Sequence, residues 1–166
     1  MQRFIYTSYK LTYKKSEYII LVLKETLMTS ENINFTIQFS VIGNPDVLVY
    51  IDDDLVHTGY TDCTFMYNSS FTEHMLKIVH TGKTNNTPDQ FVKINSIIID
   101  GVNIRDILWT DSFNIPEYPE PWATQQREQG IQLEQRVLGQ TELSHNCEWH
   151  LPFTSPFYEF VMKHVR

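Results

Sequence analysis

Cysteine is scarce in this chain of 166 residues, which holds only Cys63 and Cys147. They stand 84 positions apart, a spacing that fits neither a zinc-ligand pair nor a CxxC redox motif. The expected state is two reduced, partly buried thiols. Long apolar runs are also missing. The longest, Tyr18–Leu23, is bounded by Glu17 and Lys24 and falls far short of the roughly 20 residues needed to cross a bilayer. It is also too short for a secretory h-region, and no small-residue cleavage site follows it. Without such a signal the sequons at Asn34, Asn68 and Asn85 read as chance. The histidines (His57, His74, His80, His145, His150, His164) show no HxxxH or HExxH spacing, and no serine sits in a GxSxG turn. No assembled catalytic constellation is visible, and the expectation is a protein that is not an enzyme.

Positive charge is sparse after the first 27 residues. Met1–Leu27 carries five basic against two acidic residues, whereas the remainder carries eight against eighteen, a net of −10. A body of that sign is poorly suited to neutralising phosphates, so nucleic acid is not an expected partner, and neither is a membrane.

What is abundant is β-strand grammar. Ile33, Phe35, Ile37, Phe39 and Val41 alternate with Asn34, Thr36, Gln38 and Ser40, a period of two that places one face against a core and the other in water. Short β-branched or aromatic runs recur over 47–51, 55–57, 63–67, 75–79, 92–99 and 102–108. Gly43-Asn-Pro-Asp46 and Asp100-Gly101 punctuate them as turns, the latter a strong hairpin signal. No helical period of comparable length occurs there. The pattern predicts an all-β fold, an antiparallel two-sheet β-sandwich. A chain this long buries roughly two thirds of its unfolded surface, so the core requires neither metal nor disulfide.

After Tyr118 the composition shifts. Pro116, Pro119 and Pro121 predict an extended connector. Thr124–Gln140 is rich in Gln, Glu and Arg, with few apolar anchors. Ser155 and Pro156 then suit the start of a short amphipathic helix that presents Phe157, Phe160, Val161 and His164 on one face. The chain therefore divides into an N-terminal extension (1–30), the sandwich (31–118), a Pro/Gln-rich connector and arm (119–148), and a C-terminal aromatic segment with its helix (149–166). Met28 offers a second possible start to the functional part. Too little apolar surface in the arm implies that it orders on a partner. The expected anchors are Trp122, Trp149, Phe153, Phe157, Tyr158 and Phe160.

Two further groups of residues are candidate sites. Asp52-Asp53-Asp54 could offer carboxylate oxygens to Ca²⁺, although consecutive strand residues point to opposite sides and a solvated turn competes as the explanation. Tyr50, Tyr60, Phe65, Tyr67, Trp109 and Tyr118 could supply a stacking platform for sugar rings. Phe65 and Trp109 are expected in the core. Tyr50, Tyr60 and Tyr67 remain open between core and platform.

The segments VLVYIDDDLVHTG, EHMLKIVHTGKTNN and INSIIIDGVNI resemble β-sandwich modules of the carbohydrate-binding, jelly-roll kind. YPEPWATQQREQG and the terminal WHLPFTSPFYEFVM, taken with them, resemble virion structural proteins of large T4-like tailed bacteriophages of marine bacteria. The resemblance spans residues 32–166. It implies a virion protein, a structural or accessory component present in many copies, docked on other virion proteins through its C-terminal arm. Its alternative implication is a carbohydrate-binding module, in some relatives calcium-dependent, that recognises host surface glycans.

Overall fold

The computed structural model describes residues 29–84 and 86–164. The N-terminal extension expected over 1–27 lies outside the described residues. Two antiparallel sheets form a β-sandwich. One sheet runs in the order β10 (Glu142–Leu143), β6 (Phe91–Ile99), β1 (Ser30–Ile42), β4 (Cys63–Ser70), with β7 (Val102–Asn103) also paired to β6. The other runs β3 (Asp54–Thr58), β2 (Asp46–Ile51), β5 (Glu73–Thr81), β11 (Asn146–Thr154), β8 (Phe113–Glu117), β9 (Val137–Leu138). Among the described residues there are three short helices, α1 (Arg105–Thr110), α2 (Trp122–Glu128) and α3 (Phe157–His164).

Side-chain alternation builds the core. Ile33, Phe35 and Ile37 of β1 face Val47, Val49 and Ile51 of β2, with Leu76 and Ile78 of β5, and all are essentially buried. Strand β6 carries the run Ile97-Ile98-Ile99 and still keeps one face inward. Its register slips where Gln38 pairs with Ser96 and Phe39 with Ile94, so Asn95 is the extra residue of a bulge. The bulge moves the inward phase from Val92 and Ile94 to Ile97 and Ile99. Phe35 ties the layers together, stacking on Phe65 of its own sheet at 5.2 Å and meeting Phe153 of the other edge-on at 5.7 Å. The Asp100-Gly101 hairpin forms as expected, with both residues at positive φ, and pairs Ile99 with Val102.

The structure corrects the sequence reading in three places. The strand expected over 102–108 ends at Asn103 and becomes α1. Ile104, Ile107 and Leu108 are spaced for a helix and are buried as one. The sandwich does not close at Tyr118, because β9, β10 and β11 all lie after it and belong to its sheets. The C-terminal segment is not an arm awaiting a partner. Strand β11 is interior, pairing β5 over Cys147–Thr154 and β8 over Asn146–His150. Cys147, Trp149, Leu151 and Phe153 alternate inward along it.

Helix α3 lays Phe157, Phe160 and Val161 on the core, as its spacing predicts. Its start is held by an acid from the far end of the chain. One oxygen of Glu31 accepts both the Ser155 hydroxyl and the Phe157 amide N–H, each at 2.6 Å. That carboxylate satisfies an orphan donor at the first turn and complements the helix dipole.

A chain ended at residue 144 is expected to lose the native fold, read as collapsed amide dispersion in NMR and lost near-UV circular dichroism. A folded 1–144 fragment would restore the picture of a dispensable arm. Glu31→Ala is expected to cost about 1–2 kcal/mol in urea unfolding, the usual scale for a lost cap.

Candidate functional site

The expected stacking platform is not assembled. Tyr50 faces outward from β2, and Lys77 sits over its ring at 4.7 Å. Tyr67 points into the sandwich from β4 of the other sheet, where its hydroxyl donates to Asp54 at 3.1 Å. Burial, with the nearby Asp54, raises the Tyr67 pKa. Tyr60 lies between β3 and β4 and donates to Asn44 at 3.3 Å. Phe65 packs against the core as expected, but Trp109 is 57% exposed on α1.

The acidic turn has other work. One oxygen of Asp52 lies 2.8 Å from His74 Nδ1, and the other accepts the Met75 N–H at 2.8 Å. Asp52 takes a positive φ of 54° to do so. Asp54 accepts from Tyr67, and Asp53 is exposed. Both Asp52 oxygens and one of Asp54 are thus committed to the fold, while Asp53 faces solvent. Among the described residues no three His, Cys, Asp or Glu side chains gather around a metal position. Cys63 and Cys147 are free and buried. Burial pushes their thiols up to about 11 and about 12, so both stay protonated and unreactive.

Four of the six expected partner anchors, Trp149, Phe153, Phe157 and Phe160, are buried in the chain's own core. The period-two order of residues 147–153 and the helical spacing of 157–161 send these rings inward. Tyr158 is exposed on the outer side of α3. Trp122 is 40% exposed, and it belongs to the best-formed site on the molecule.

That site grows out of the proline-marked turn after β8. Glu120 organises it. One carboxylate oxygen accepts both the amide and the hydroxyl of Thr124, and the other accepts Arg127 Nη1 at 3.1 Å. The Thr124 hydroxyl foremost, with Arg127, holds the Glu120 carboxyl below its ordinary pKa. Helix α2 so fixed buries Ala123 and turns the Trp122 indole outward. Tyr118 stands 5.7 Å from Trp122, and His145 stands 5.6 Å from Tyr118 and 6.2 Å from Trp122. Three rings from two stretches of chain thus form one cluster.

A hollow opens on each side of it. The smaller, about 350 Å³, is lined by Lys83, Thr84, Pro88, Glu117, Pro119, Trp122, His145 and Asn146. Lys83 braces its rim, donating from Nζ to the carbonyls of Gln90 and Ser144 at 2.9 and 2.7 Å. Asn146 exchanges two hydrogen bonds with the Lys83 backbone. The larger, an open cleft of about 1330 Å³, runs between β8 and residues 131–136. Its walls carry Phe113, Ile115 and Tyr118, the amides Gln132 and Gln135, and the charged Arg127, Glu134 and Arg136. The Tyr118 hydroxyl donates to the Glu134 carbonyl at 3.0 Å and pins the far wall to the aromatic cluster. Tyr118 was legible as a candidate platform residue. The cleft was not, although the Gln- and Arg-rich composition of 124–140 was its trace in the sequence.

Burial lowers the pKa of His80, His145 and His150, in each case as the first cause. His80 is wholly buried beside the backbone of Leu143 and His145, and neither ring nitrogen has a partner in hydrogen-bonding geometry. These groups bind protons more tightly unfolded than folded. Stability is therefore expected to hold above the ordinary histidine value of 6.5 and to fall as pH drops below it, by up to about 1.4 kcal/mol per pH unit for each. Urea midpoints from pH 7.5 to 5.5 measure the slope, and His80→Gln should flatten it. An unchanged midpoint across that range contradicts the neutral, buried imidazole.

No family model matches the chain, and no curated protein matches it. Among solved structures it is similar to the selenomethionine form of the module vCBM60, from work linking two families of calcium-dependent carbohydrate-binding modules by circular permutation. The TM-score is 0.46 and the identity 15%, over 72% of this chain and 89% of that one. A similarity this slight carries neither residues nor ligand across.

Proposed function

We propose that the protein is a carbohydrate-binding module whose site is the Tyr118–Trp122–His145 cluster and the cleft beside it. The observation that carries this reading is the exposed indole of Trp122, held in place by α2 and flanked by two rings, between a largely apolar hollow and a cleft walled by amide and charged side chains. Sugar rings present an apolar CH face and a rim of hydroxyls. An aromatic face takes the first, and amide and guanidinium groups such as Gln132, Gln135 and Arg127 suit the second. An arrangement of this kind suits holding a ligand by stacking and hydrogen bonding.

The structural motive for a protein docked through its tail is weaker, since β11 and the inner face of α3 belong to the sandwich's own core. The resemblance to phage virion proteins bears on where such a module would be carried, not on what it holds.

Affinity is expected in the millimolar to micromolar range, about 4–8 kcal/mol of binding. A glycan array, run with and without Ca²⁺, should yield hits for the full chain. Titration calorimetry with a hit should show at least a roughly tenfold loss for Trp122→Ala, the order expected for one stacking platform. An array without hits in either condition, or undiminished binding by the Trp122→Ala protein, overturns the proposal.

A further inference from the structure

The outer face of the six-stranded sheet carries one transverse row through every strand. The registers align Leu55 with Tyr50, Tyr50 with Lys77, Lys77 with His150, His150 with Phe113, and Phe113 with Leu138. Residues directly opposite in paired strands share a face, and the row lies at right angles to the strands. Its middle is a set of stacked planes. His150 and Phe113 are parallel within 3° at 4.8 Å, and the Arg136 guanidinium carbon sits 3.4 Å from the Phe113 ring centre. Two strands away, Lys77 rests on Tyr50.

Both cations on this row are thus seated on aromatic rings, and neither stands in an ion pair among the described residues. Seating on a ring orients a cation without neutralising it, and a guanidinium lying flat keeps its N–H edges available for a carboxylate. The acid nearest the row, Glu148, turns its carboxylate to His150 Nε2 at 3.2 Å. His150 is held below its ordinary pKa by burial, with Lys77 and Arg136 both contributing, so the positive charge of the row is that of Lys77 and Arg136. Residues 28–166 carry a net −10, and against that background two unpaired, oriented cations on one face stand out. Phe113 and Arg136 also line the large cleft, which makes the row continuous with the aromatic cluster.

We infer that the ligand is an acidic glycan, a uronic-acid-bearing chain that passes from the cleft across the strands, with Arg136 and Lys77 each taking a carboxylate. This rests on the carbohydrate-binding proposal and names its substrate class. The rings that seat the two cations, Tyr50 on β2 and Phe113 on β8, lie three strand spacings of about 4.8 Å apart, so the charges stand roughly 14 Å from each other, a span for charges on an extended polymer rather than for one small anion. Two cations on an acidic body are too few to hold nucleic acid by phosphate neutralisation.

The test titrates the full chain with an oligoglucuronate, a neutral oligoglucose of equal length and a single-stranded oligothymidylate of equal charge. At low salt the uronate is expected to bind about tenfold or more tighter than the neutral sugar, the scale of a charge-assisted hydrogen-bond pair, and to weaken as salt is raised. Lys77→Gln should remove several-fold of the uronate affinity while leaving neutral binding unchanged, and Arg136→Gln, which also alters the cleft wall, should weaken uronate binding several-fold more than neutral binding. Arg136→Lys, which keeps charge without the planar fork, should fall between. Thermal melts confirm that the variants are folded. Equal binding of neutral and acidic sugars, or a harmless Arg136→Gln, overturns the acidic-glycan inference and leaves the module standing. Equal binding of oligothymidylate overturns it in favour of a general polyanion surface. Uronate binding lost in Arg136→Gln but kept in Trp122→Ala supports the row and removes the Trp122 platform. No binding of either sugar removes both.

Discussion

The fold depends on the placement of β11 between β5 and β8. This strand is the last of the sandwich, and it supplies the buried column Cys147, Trp149, Leu151 and Phe153. Without it β5 and β8 would each present an open edge, and the core would lose its largest buried side chain, Trp149. The functional surface inherits the same dependence. Strand β8 reaches the sheet only through β11, and the turn after β8 sets Tyr118 and Trp122. His145 precedes β11 directly, and His150 is a residue of it.

Much of the sandwich was legible because burial on one face imposes a period of two, and β1 shows that period without interruption. The Asp-Gly hairpin and the amphipathic α3 were legible for equally local reasons. What misled was composition. Residues 119–148 look under-anchored because their apolar groups are few, yet short pieces of them, β9 and β10, need only pair with strands already in place. Residues 147–153 do alternate, although a proline, Pro152, sits within the strand they form. The structure resolves this by position. Strand β8 pairs β11 only as far as His150, so at Pro152 the strand has a single neighbour, where a missing N–H costs least.

The candidate site was far less legible. Tyr118 and Trp122 share one proline-marked turn, but His145 comes from a distant stretch of chain, and its distance to them is set by sheet order, which no local pattern encodes. The same holds for Arg136 over Phe113 and His150. Spacing in the sequence could nominate aromatics, and it nominated three tyrosines that the fold sends to different places. Asp52 shows the converse. Three consecutive carboxylates suggested a metal, whereas Asp52 is engaged with His74 and the Met75 amide and Asp54 with Tyr67.

The interior position of β11 bears on how the molecule is made. Its partners β5 and β8 are synthesised earlier and must wait for residues 146–154 before either sheet edge is covered. Pairings that span so much chain are slow to form, and an unfilled gap between two apolar strands invites a stranger's strand. A nascent chain paused shortly before Asn146 would therefore leave the edges of β5 and β8 open together, the state in which it is stickiest.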